Sequence, residues 1–128
     1  MTKPFIEIIN LKKTYLHFDG NITLFKNINF KINQGDLVAV VGPSGSGKSS
    51  LLHLLALLDE PTKGNIKIND IETKKFTEEE RDEARRKNIS IIFQENNLLN
   101  DFSAIENVMM PLIIKGENIE NAKNKALK

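Results

Sequence analysis

Residues 27–32 (NINFKI) alternate, with Ile28, Phe30 and Ile32 on one face and Asn27, Asn29 and Lys31 on the other. A period of two is the mark of a half-buried antiparallel strand. Two further β runs precede it, one carrying Phe5, Ile8 and Leu11 and one over residues 22–25, with the turn sequence Asp19-Gly20-Asn21 between them. After a turn at residues 33–36 the pattern changes. Residues 37–41 read LVAVV, apolar on both faces, which predicts a strand inside a sheet covered on both sides. Residues 89–93 (ISIIF) predict a second such strand, running straight into Gln94. Between them a helix is expected over residues 48–58. Asp59-Glu60-Pro61 ends it, because the residue before a proline disfavours helical backbone. Residues 64–69 alternate again and turn at Asn69-Asp70.

Two capping boxes, Thr77 with Glu80 and Ser103 with Glu106, each predict a helix start. The first helix is acidic at its beginning and basic at its end (Arg85, Arg86, Lys87), which suits the helix dipole. That arrangement accounts for Glu78, Glu79, Glu80, Asp82 and Glu83 without acid–base or metal chemistry. The second helix meets Pro111, which is expected to kink or stop it. From Asn118 onward, Ile119, Ala122, Ala126 and Leu127 fall at helical spacing up to the last residue with no stop signal. A helix written that way reads as cut rather than finished.

Composition narrows the function classes. The 128 residues include no cysteine, so disulfides and thiolate chemistry are excluded, and two lone histidines, His17 and His53, offer little to zinc. Eighteen basic against seventeen acidic side chains leave a net charge of +1, with no general pull towards nucleic acid, and no nucleic-acid partner is expected. The longest apolar stretch, residues 51–58, is broken by His53 and is too short to span a bilayer. Residues 1–11 alternate instead of forming a signal-peptide run. A soluble, cytosolic chain is expected, one whose work at a membrane needs a partner.

Residues 42–49 read GPSGSGKS and fit the pattern G-x-x-x-x-G-K-[ST] at every defined position. Gly42, Gly45 and Gly47 let the backbone turn tightly enough for successive N–H groups to point at phosphate oxygens. Lys48 brings a point charge to the β- and γ-phosphates, and the Ser49 hydroxyl is a natural ligand for the Mg²⁺ that bridges them. The helix that follows aims its positive end at the anion. A predicted buried strand before the loop and a helix after it supply the context the motif requires. These residues predict a P-loop NTPase of the α/β class.

The loop GPSGSGKSS, the segments LLHLLALLD and PTKGNIKIND that follow it, and IIFQENNLL further on resemble the ATP-binding subunits of ABC transporters, over essentially the whole chain. The longer stretches GPSGSGKSSLLHLLALLDEPTKGNI and LLNDFSAIENVMMPLIIKG look most like the lipoprotein-releasing branch of that family, with macrolide-export and cell-division ATPases as close relatives. The resemblance implies an ABC-type fold with an N-terminal antiparallel β part (residues 1–35), a P-loop core reaching the Q-loop (36–94) and the start of a helical subdomain (95–128). It implies ATP and Mg²⁺ as ligands, held by Gly42, Pro43, Ser44, Gly45, Ser46, Gly47, Lys48, Ser49 and Ser50. Tyr15 matches the aromatic that stacks on adenine, and Gln94 the Q-loop glutamine that contacts Mg²⁺ and the attacking water, so that Lys48 and Gln94 carry the catalytic roles. Transmembrane permease subunits and a second copy of the ATPase subunit are the implied partners, at the cytoplasmic face of a bacterial inner membrane.

Other elements of the resembling family do not occur in these 128 residues. They are the Ser-Gly-Gly-Gln signature, an apolar strand ending in Asp-Glu, and the switch histidine beyond it. With the unfinished last helix, this leads to the expectation of the front portion of one ABC ATPase domain, truncated before its signature and Walker B elements and unable alone to hydrolyse ATP. Strands 37–41 and 89–93 would then lack neighbours and leave apolar surface exposed. Leu98, Leu99, Phe102, Met109 and Met110 cannot all face one core stripe. Some are expected to form the apolar surface that, by the resemblance, meets the membrane subunit.

Overall fold

The alternating segments build one antiparallel sheet in the computed structural model, which describes residues 3–128. Its strands β1 (Ile6–Tyr15), β2 (Ile22–Ile32), β3 (Lys63–Ile68) and β4 (Ile71–Glu72) lie in the order β2-β1-β3-β4. The runs at residues 22–25 and 27–32 form a single strand, interrupted in φ at Asn27 (56°). β1 is irregular at Asn10 (φ 49°), whose N–H donates to Asn29 Oδ1 at 2.8 Å. The irregularity shifts the inward set from Ile8 to Leu11 and Lys13. Asn69 and Asp70 both take positive φ, 49° and 67°, as a two-residue primed hairpin turn requires.

Helix α1 (Lys48–Leu55) buries Leu51 and Leu54, which join Ile8, Leu11, Ile66 and Ile68 in the core of the first compact unit, which extends to Asp82. The helix is shorter than its apolar pattern predicts. Leu57 N–H donates to Leu54 O at 3.1 Å and Leu58 N–H to His53 O at 2.9 Å, the paired bonds of a Schellman stop. Leu57 takes the left-handed position (φ 58°) that glycine usually fills, and its side chain is buried. Burial of a leucine, worth about 1.5–3 kcal/mol, offsets the strain of that conformation, about 1–2 kcal/mol.

Helix α2 (Glu78–Asn88) opens with its capping box in place: Thr77 N–H donates to Glu80 Oε2 at 2.8 Å, and Glu80 N–H to Thr77 Oγ1 at 3.2 Å. Downstream, Glu83 pairs with Arg86 and Lys87 one turn on. The second unit, from Glu83, contains α3 (Ala104–Ile114) and α4 (Ile119–Ala126), which pack on each other and bury Met109 and Ala122. The Ser103–Glu106 box caps α3, and Asn118 caps α4 by accepting from Asn121 N–H at 2.8 Å. Pro111 does not stop α3, which runs on to Ile114. A proline removes only the bond to the carbonyl four residues back, here that of Asn107, and the backbone beyond resumes with Lys115 N–H on Pro111 O at 3.2 Å.

One expectation is corrected. Residues 37–41 and 89–93 are not strands: neither run belongs to the sheet, and Leu37, Val41 and Ile92 are almost fully exposed. An apolar run becomes a strand only when another backbone pairs with it. Among the described residues the sheet's four strands pair with one another alone.

Candidate functional site

Residues 42–47, exposed but for half-buried Gly47, lead into α1. Ser46 N–H donates to Pro43 O at 3.3 Å, and Leu51 N–H opens the helical ladder on Gly47 O at 2.8 Å. Gly47 is left-handed at φ 89°, and a Cβ there would lie 3.0 Å from Phe25 Cδ1 and 3.1 Å from Leu24 Cβ. β2 therefore packs closely on the loop, and an added methyl group would crowd the Leu24 and Phe25 side chains and strain a left-handed residue. No side chain caps α1, so the N–H groups of its first turn keep their donors free for an anion. Lys48 Nζ reaches back across the loop to Gly42 O at 2.9 Å and Pro43 O at 2.7 Å. Pro43, Ser44, Gly45, Ser46 and Ser49 are exposed, and Lys48 and Ser50 half-buried.

This donor set fits a polyphosphate: backbone amides, one ammonium and several hydroxyls, with no carboxylate in the loop. It fits Mg²⁺ only as a passenger on the phosphates, with Ser49 supplying a hydroxyl, because Mg²⁺ keeps water and phosphate ligands where carboxylates are few. Among the described residues no cluster of His, Asp and Glu could hold a metal by itself.

Tyr15 stands at the end of β1, paired with Ile22 of β2. Leu24 and Phe25, two and three residues along β2, touch the Gly47 position. Tyr15 and the loop thus meet β2 within about 10 Å of each other along that strand. Sequence reasoning missed what surrounds the ring. Lys13 Nζ lies 4.7 Å from the ring centroid and bonds Asp59 Oδ1 at 2.7 Å and Glu60 O at 2.9 Å. The Tyr15 hydroxyl donates to Asp59 Oδ2 at 3.1 Å. The one available signal was a lysine at an inward position of β1, two residues before the tyrosine.

Burial pushes the Asp59 carboxyl up, but hydrogen bonds from Lys13, the Glu60 N–H and the Tyr15 hydroxyl, with the charge on Lys13, outweigh it and hold its pKa below the ordinary 3.8. A depressed carboxylate contributes stability that is complete above its unfolded value and lost as pH falls through the folded one. Asp59→Asn is therefore expected to lower the melting temperature at neutral pH, with the gap to the unsubstituted chain closing as pH falls below 3.8. Melts across that range check it; a gap constant with pH is the contrary result.

Gln94 lies exposed in the second unit, in the turn after residues 89–93. Of the five apolar residues singled out there, Met109 is in the core, Met110 half-buried, and Leu98, Leu99 and Phe102 exposed. Asn107, also unforeseen, fastens that loop. Its Oδ1 accepts from Leu99 N–H at 2.8 Å, and its Nδ2 donates to the carbonyls of Leu99, Phe102 and Ser103 at 3.0–3.2 Å.

A glycine-rich turn pressed by a strand and opening an uncapped helix with Lys48 and Ser49 in its first turn is the arrangement of a P-loop nucleotide-binding site. Residues 25–128 match the family model described as ABC transporter. The lipoprotein-releasing system ATP-binding protein LolD of Pseudoalteromonas translucida is 44% identical over 92% of this chain and 51% of its own length. LolD of Legionella pneumophila strain Paris is 40% identical over 91% and 52%. The macrolide export ATP-binding/permease protein MacB of Bdellovibrio bacteriovorus is 42% identical, covering 95% of this chain and 19% of that protein. Among solved structures, the ATP-binding cassette MJ0796 in a dimeric post-hydrolysis state with ADP and Pi superposes at a TM-score of 0.88. It is 38% identical over 95% of this chain and 54% of that one. The chain belongs to the ABC transporter family and has the fold of its ATP-binding cassettes. It spans about half the length of the LolD proteins it matches. No helix among the described residues is long and apolar enough to cross a membrane.

Proposed function

We propose that this chain is the nucleotide-binding front of an ABC ATPase subunit that couples MgATP binding and hydrolysis to membrane permease subunits, with lipoprotein release from the inner membrane as the process driven. The single observation that carries the reading is the loop of residues 42–50 set on the uncapped start of α1, with Lys48 in its first turn. In this reading the loop amides, Lys48, Ser49 and Ser50 hold the phosphates, and Tyr15 stacks on adenine. Ser49 would hold Mg²⁺, which when bound would neutralise phosphate charge, and Gln94 is the further ligand that its family position implies. Residues 1–35, 36–94 and 95–128 act as β part, nucleotide core and start of the helical subdomain. The subunit works as a homodimer at the cytoplasmic face. The similarity to LolD supports the lipoprotein assignment.

Exposed Leu98, Leu99 and Phe102, held on one loop by Asn107, support that loop as the contact with the permease. The test places Leu99→Ala or Phe102→Ala in the full-length subunit co-expressed with lipoprotein-releasing membrane subunits. The expected outcome is lost co-purification with ATPase activity of the free subunit retained. Unchanged association in both variants overturns the docking assignment, and failure of the unsubstituted subunit to co-purify overturns the choice of permease.

A further inference from the structure

A lysine is costly to bury, and Lys13 is buried, with a side-chain exposure of 9%. Its ammonium has two kinds of partner. Both Asp59 oxygens lie within ion-pair reach, at 2.7 and 2.6 Å, and Glu60 O accepts at 2.9 Å. The same ammonium sits over one face of the Tyr15 ring, 4.7 Å from its centroid. Asp59 in turn takes the Tyr15 hydroxyl, so the ring is held at its edge and on one face by a single ion pair. The backbone around it is fastened as well. Thr62 N–H donates to Lys12 O at 2.9 Å, Thr14 N–H to Thr62 Oγ1 at 2.9 Å, and Thr62 Oγ1 to Thr14 O at 3.2 Å. Yet Tyr15 itself remains 40% exposed.

We infer that Lys13 and Asp59 are positioning residues for nucleobase recognition: the ion pair occupies one face of the Tyr15 ring and pins its hydroxyl, leaving the opposite face as a fixed platform for the base of a nucleotide whose phosphates lie in the loop of residues 42–50. The inference rests on the proposed role of Tyr15. A free tyrosine at a strand end samples several rotamers and orders only when the base arrives, whereas a pinned ring has lost that freedom already. The pair also explains why a charged residue occupies an inward position of β1.

The test measures binding of ATP and of tripolyphosphate, which lacks a base, to the 128-residue chain and its variants by calorimetry. Tyr15→Ala is expected to weaken ATP roughly 5- to 150-fold, the range of one base–aromatic stack, and to leave tripolyphosphate unchanged. Tyr15→Phe, which removes only the bond to Asp59, is expected to weaken ATP roughly two- to tenfold. The double variant Lys13→Met/Asp59→Leu deletes both charges together, avoiding an orphaned buried ion, and is expected to weaken ATP at least about fivefold with tripolyphosphate unchanged. Lys13→Arg keeps the charge and is expected to stay closer to the unsubstituted chain than the double variant. Unchanged ATP affinity in Tyr15→Phe and the double variant, with a loss in Tyr15→Ala, overturns the positioning role alone. Equal loss of both ligands in the double variant makes the pair merely structural and also overturns it. If circular dichroism shows that the double variant does not fold, Tyr15→Phe decides. No effect of Tyr15→Ala, or no ATP binding by the unsubstituted chain, overturns the underlying site reading itself.

Discussion

Gly64→Ala is expected to destabilise the first unit by at least about 3 kcal/mol, the largest effect of any single methyl group in it. Gly64 is the second residue of β3, at φ 89°, and a Cβ there would lie 2.3 Å from Asn10 O, 2.5 Å from Asn10 C and 2.6 Å from Leu11 Cα. All three are backbone atoms, at the irregularity of β1 where its pairing with β3 shifts register between Ile9 and Lys12. Backbone cannot turn aside as a side chain can, so the strands must part and Leu11 and Ile66 lose their burial. Gly35→Ala is the matched control: its φ is 88°, but nothing lies within 4 Å of the added Cβ. It should cost only the strain of the left-handed residue, about 1–2 kcal/mol. Urea titrations of the two variants check the difference. Equal losses would mean that conformation alone, and not the approach of β1, restricts position 64.

Lys48→Ala is expected to weaken triphosphate binding roughly 10- to 150-fold, as loss of charge-assisted bonds worth about 1.5–3 kcal/mol requires. Adenosine binding should hardly change. Lys48 bonds two carbonyls of its own loop, Gly42 O and Pro43 O, so the substitution also removes a brace from the turn. Lys48→Met restores much of the stem but neither the charge nor the N–H donors to Gly42 O and Pro43 O, so it reports charge and brace together, apart from the stem. If methionine binds triphosphate as the unsubstituted chain does, neither the charge nor the brace contributes, and the phosphate role of Lys48 fails.

What the sequence made legible was local. The alternation over residues 27–32 and 64–69 and the separate run over 22–25 foretell strand, and three helix starts follow from capping residues or the loop motif a few positions away. The phosphate loop is contiguous, so each of its residues could be read in place. The Lys13–Asp59 pair spans 46 residues, and Asp59 looked like no more than the stop of α1. Asn107 hides inside an ordinary amphipathic helix, because an asparagine signals nothing until the loop it serves has folded back upon it. Residues 37–41 and 89–93 failed for the opposite reason. Their apolar pattern states a requirement for neighbouring strands, and a pattern can state that requirement without supplying them.

The fastening by Asn107 has a consequence for amide exchange. One side chain holds the N–H of Leu99 and the carbonyls of Leu99, Phe102 and Ser103, so residues 99–103 and the first turns of α3 open together as one cooperative segment. The Leu99 amide, on an exposed residue, is then expected to exchange only through opening of the helix start, more slowly than a near-unprotected surface loop.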